Sequence, residues 1–98
     1  EVVKVPSDNP ELISKILAKK GCNKVLWECG PTLATAAIQS SCIQEIITFI
    51  APKILGGGNG MNPFGDFQFR EMNEIFKLRD SQVSLIGNDI CVKSLFKY

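Results

Sequence analysis

The sequence predicts an α/β unit: a β-α-β-α-β run with an antiparallel hairpin added at its end. Three observations point there. Short apolar stretches alternate with segments of helical period through the first half of the chain. Both helical segments open on a proline with a capping residue directly ahead of it, Asn9-Pro10 and Gly30-Pro31. Two long strand-like stretches, 75–86 and 90–96, then flank Gly87-Asn88-Asp89, which has hairpin-turn chemistry.

Each element follows from its residues. Residues 1–5 alternate weakly and stop at Pro6, as a strand does. Asn9 caps the first helix, Pro10 suits its first position, and Glu11 complements the positive end of the dipole. Leu12, Ile13, Ile16 and Leu17 share one helical face, Lys19 and Lys20 close the last turn, and Gly21 fits a left-handed stop. Residues 23–27 form a short apolar strand that places Trp27 in the core. Residues 31–41 form a second helix of small side chains, suited to close packing. The strand 44–52 is apolar on both faces, which suits a sheet covered on both sides. Helical crossovers of this length favour parallel neighbours. In the last strand Ile90, Val92 and Ser94 point one way and Cys91, Lys93 and Leu95 the other.

Composition narrows the function. The 98 residues make one small domain or a piece of a larger one, with ordinary hydrophobic (45%) and charged (21%) fractions. A net charge of +1 with no basic stripe gives no field strong enough to suggest nucleic acid, and no nucleic-acid partner is expected. The longest apolar run, 46–52, is too short to span a membrane. With no histidine there is no Ser-His-Asp triad and no His-based metal site. Cys22, Cys29, Cys42 and Cys91 match no zinc spacing and read as free thiols of an intracellular, cytoplasmic protein. The chain starts without Met, inside an apparent strand, and reads as an excised piece.

One stretch carries chemistry: Glu28-Cys29-Gly30-Pro31-Thr32-Leu33, between a strand and a helix. In open α/β sheets ligands bind beyond the carboxyl ends of strands. A helix start offers unpaired N–H donors and partial positive charge, natural partners for phosphate. Gly30 admits a close approach, Thr32 adds a hydroxyl, and Ala34 and Ala36 leave room. Glu28 would repel a phosphate placed on it and suits a hydroxyl-bearing neighbour such as ribose. The same Gly-Pro turn also begins helices that bind nothing, and short motifs have many false matches. The glycine loop 56–60 fits neither the Rossmann nor the P-loop order and reads as a connector or flap. Cys29 reads as an inert small residue, and Asp66, Glu71 and Glu74 as solvated surface.

A resemblance sharpens this. "LWECGPTLATAAI", followed by "IQEIITFIAPKILGG" and a closing "LIGNDICVKS", resembles the reductase domain of the bacterial riboflavin-biosynthesis deaminase/reductase family. The resemblance implies a dihydrofolate-reductase-like α/β fold, with a mostly parallel sheet flanked by helices and a C-terminal antiparallel hairpin, present here as a partial domain. Residues 1–98 would be the C-terminal part of a single reductase domain. The implied activity is NADPH-dependent reduction of 5-amino-6-(5-phosphoribosylamino)uracil to the ribitylamino product, by hydride transfer from the cofactor. By the same resemblance Glu28 contacts substrate, and Gly30, Pro31, Thr32, Leu33, Ala34, Thr35 and Ala36 bind NADPH. No catalytic residue is assigned, because the family's essential Asp has no counterpart here. Cys29 departs from the small residue usual in the family. These residues alone are expected to be inactive or nearly so. Two other readings stay open: a same-fold reductase for another pteridine or pyrimidine, and a non-catalytic module whose sheet edge self-associates. In that module the unpaired edges of an incomplete sheet favour dimerisation, and a homo-oligomer is expected of the protein.

Overall fold

A computed structural model describes residues 1–98 and divides them into two compact units. The first contains residues 1–42 and 62–68; the second contains 43–61 and 69–98.

The helical unit holds α1 (Pro10–Lys19) and α2 (Pro31–Gln39), which pack against each other. Asn9 caps α1 as its spacing predicts: the side chain accepts from the Leu12 N–H at 3.2 Å. Gly21 ends it in the left-handed region at φ +88°, with Gly21 N–H on the Ala18 carbonyl (2.9 Å) and Cys22 N–H on the Leu17 carbonyl (3.1 Å). That pair of bonds satisfies two orphan carbonyls of the last turn. Helix α2 ends with the same two bonds, Ser41 N–H to Ile38 and Cys42 N–H to Ala37, both 3.0 Å. Here the left-handed residue is Ser41, at φ +55°. The helix therefore stops at Gln39, two residues before its predicted end. Ala37 and Ile38 are its buried residues.

The sheet unit has three strands, β1 (Glu45–Ile50), β2 (Lys77–Ile86) and β3 (Asp89–Lys97), in the order β1-β3-β2. Both pairings are antiparallel. Ile86 faces Asp89 across Gly87-Asn88, and only Gly87 has positive φ (+60°). This is the glycine-first hairpin turn whose twist matches that of the strands. One bulge interrupts β2: Arg79 faces Leu95 and Gln82 faces Lys93, so Asp80 and Ser81 together oppose Ser94. Asp80 takes φ +53°, and the Ser81 hydroxyl lies 2.7 Å from that of buried Ser94. Cys91, Ser94 and Phe96 are the buried residues of this unit.

Several expectations are corrected here. The sheet contains no parallel pair, so the mostly parallel sheet is not what this chain forms. Residues 1–5 and 23–27 belong to no strand and no sheet. A strand exists only against a neighbour that completes its ladder, and these 98 residues supply none for those two segments. Trp27 is half-buried rather than core. Strand β1 was expected to be covered on both faces, yet Ile47 (44%), Phe49 (59%) and Ile50 (49%) are exposed. One sheet face carries Ile50, Leu78, Val83, Leu85 and Ile90, all exposed. Glu71 and Glu74 are exposed, as expected of surface acids, but they also organise the chain. They form a reciprocal capping box around a single 3₁₀ turn (Met72–Glu74).

Candidate functional site

The turn from Glu28 to Ala36 leads into α2, and the backbone decides its character. Gly30 is the N-cap residue, at φ −72° and ψ 173°, with no side chain to bond the first amides. Pro31 has no N–H, and the first amide bond of the helix runs from Ala34 N–H to the Gly30 carbonyl at 3.1 Å. The amides of Thr32 and Leu33 therefore have neither an intrahelical acceptor nor a capping side chain. Space at the turn is open: a Cβ built on Gly30 meets nothing within 4 Å.

A depression of about 400 Å³ lies beside this helix start, lined by Asp8, Asn9, Pro10, Thr32, Leu33 and Ala36. Two helix starts thus border it, and they differ. The start of α1 is closed by the Asn9 side chain, whereas that of α2 ends on glycine. The lining has one acid, Asp8, and no lysine or arginine.

The nominated residues separate on this geometry. Thr32, Leu33 and Ala36 face the depression; Glu28, Gly30, Pro31, Ala34 and Thr35 do not line it. Glu28 is exposed, and the two ion pairs of the chain, Glu1–Lys20 and Arg79–Asp80, leave its carboxylate without a cationic partner. Cys29 is a free, exposed thiol. Thr35 makes two hydrogen bonds within the protein. Its hydroxyl donates to the Pro31 carbonyl and accepts from the Gly65 N–H, each at 2.7 Å. Sequence reasoning read Thr35 only as a ligand contact, because nothing local says that a residue thirty positions away will take its oxygen. No three His, Cys, Asp or Glu side chains gather as a metal ion would need, and no helix is long and apolar enough to cross a membrane.

Comparison with known proteins decides the family. Residues 8–92 match the family model described as the RibD C-terminal domain. The chain belongs to the RibD C-terminal domain family. It is 37% identical over 97 residues to "Riboflavin biosynthesis protein PYRR, chloroplastic" of Arabidopsis thaliana, covering 99% of this chain and 16% of that protein. It is 38% identical over 80 residues to "Riboflavin biosynthesis protein RibD" of Synechocystis, covering 82% of this chain and 22% of that protein. Among solved structures, Acinetobacter baumannii RibD (form 2) superposes with a TM-score of 0.74 at 27% identity, over 97% of this chain and 26% of that one. The chain thus spans about a sixth to a quarter of the length of these relatives. The resemblance read from the Glu28 turn and the Ala51-Pro52-Lys53 block is borne out at the level of the RibD C-terminal domain family.

Proposed function

We propose that residues 1–98 are the C-terminal part of a single reductase domain acting in riboflavin biosynthesis. The reaction is NADPH-dependent reduction of 5-amino-6-(5-phosphoribosylamino)uracil to its ribitylamino product. The observation that carries this reading is the family match over residues 8–92, which spans an α2 start whose amides are unclaimed. NADPH, when bound, supplies the hydride. This chain's residues bind and orient. The open amides of Thr32 and Leu33 suit a phosphate of the dinucleotide, and the absent Cβ at Gly30 leaves room for it. The unpaired Glu28 carboxylate suits substrate hydroxyls. The depression beside α2 has no lysine or arginine to offer the 2′-phosphate.

Burial supports the partial-domain reading. Leu26 (80% exposed), Val83 (69%) and Leu85 (74%) leave apolar area in water that a complete domain would cover. The same exposed apolar surface supports a homo-oligomer, and the protein is read as cytoplasmic. The test is an assay of NADPH oxidation with the pyrimidine substrate. A chain carrying the complete domain turns over, and residues 1–98 alone do not. Turnover by the 98 residues would refute the partial-domain reading, and failure of the complete domain would refute the substrate assignment.

A further inference from the structure

Residues 62–68 belong with the helices, although the chain on either side of them belongs to the sheet unit. They are held there at Thr35. The hydroxyl has one proton, given to the Pro31 carbonyl, and it receives the Gly65 N–H in return, both at 2.7 Å. Contact is close enough that a Cβ at position 65 would stand 3.3 Å from Thr35 Oγ1, so glycine fits and a larger residue needs the Thr35 side chain to give by a few tenths of an ångström. Phe64 and Phe67, half-buried with ring centroids 6.2 Å apart, flank the bond. Pro31 and Thr35 are one turn apart on one side of α2. Thr32 and Ala36, which line the depression, lie about 100° around the helix from them.

From this we infer that Thr35 is a positioning residue: it straps residues 62–68 onto the Pro31/Thr35 side of α2 and confines ligand access to the Thr32/Leu33/Ala36 side. The inference rests on the proposed cofactor role of this helix start. Of the seven residues nominated there, Thr35 acts through the strap and Thr32 acts on the ligand directly.

The experiment compares Thr35→Val, Thr35→Ser and Thr32→Val in the full chain. It reads amide hydrogen exchange at Gly65 and the Kd for NADPH. Thr35→Val keeps the shape and removes the hydroxyl, so Gly65 should exchange about five- to tenfold faster, as expected for one net hydrogen bond. NADPH binding should weaken in step, and Thr35→Ser should restore both. Thr32→Val should weaken NADPH binding and leave Gly65 protected. Unchanged Gly65 exchange in Thr35→Val overturns the proposal. So does weakened NADPH binding with Gly65 still protected, because that makes Thr35 a ligand contact. If the unaltered chain binds no NADPH while Gly65 exchange still rises in Thr35→Val, the strap stands. The functional reading and the access role then fall together.

Discussion

The two helices end in the same two-bond cap, but one places glycine at the left-handed position and the other serine. Gly21 has φ +88° and Ser41 φ +55°. An L-residue in that region is disfavoured by about 1–2 kcal/mol, which Ser41→Gly relieves. The replacement also gives the unfolded chain more freedom, an opposing effect of about 0.4–1 kcal/mol. No hydrogen bond of the Ser41 side chain is lost, since the neighbouring hydroxyl bond to the Ala36 carbonyl is made by Ser40. The net gain is about 0–1.6 kcal/mol, centred on ~0.8 kcal/mol, or roughly 3–6 °C in Tm at the centre for a domain of this size. Gly21→Ser runs the other way and loses at least about 1 kcal/mol, because φ +88° lies beyond the usual range for an L-residue. Urea unfolding of the two variants beside the parent, read as shifts in midpoint at constant slope, measures both effects. A destabilised Ser41→Gly, or a neutral Gly21→Ser, would refute the cap assignment and with it the position of α2's end.

Three further outcomes follow from the geometry. Glu28→Gln should lower kcat/KM for the pyrimidine by about 10–100-fold, the scale of one hydrogen bond to a charged group, while the Kd for NADPH stays within about twofold. Equal loss of both would show that the turn is not divided between substrate and cofactor. Gly30→Ala meets no neighbour and needs no strained φ, so it should weaken NADPH binding while stability falls by no more than about 1 kcal/mol, the usual difference at an N-cap; unaltered binding would remove Gly30 from the site. Ser81→Ala strands the buried Ser94 hydroxyl and should destabilise by about 1–3 kcal/mol. Adding Ser94→Ala should recover part of that loss in a double-mutant cycle, and additive losses would mean the two hydroxyls are not coupled.

What was legible in the sequence was local. Asn9-Pro10, Gly21 and Gly30-Pro31 bracket their helices through contacts within a few residues, and Gly87-Asn88 fixes its hairpin the same way. Residues 1–5 and 23–27 have strand-like patterns, but pairing is not a local property, and the chain offers them no partner. The antiparallel match of β1 to β3, which joins Ile50 to Ile90, likewise depends on residues far apart in sequence. The bulge at Asp80-Ser81 was hidden because neither residue is glycine, the usual sign of a left-handed bulge position. The reciprocal cap of Glu71 and Glu74 was hidden too: the two stand three residues apart, but the capping-box signature opens on Ser, Thr, Asp or Asn, and here a glutamate takes that place. At the site, the open start of α2 was readable from Gly30-Pro31, whereas the capture of Thr35 by Gly65 was not.

In the proposed function the Thr32 and Leu33 amides at the start of α2 receive the cofactor's phosphate. Titrating NADPH into the isotopically labelled full chain and following backbone amide shifts tests it most directly. The Thr32 and Leu33 amides should move most and saturate with the cofactor. Saturable NADPH binding that leaves those two amides unmoved would contradict it.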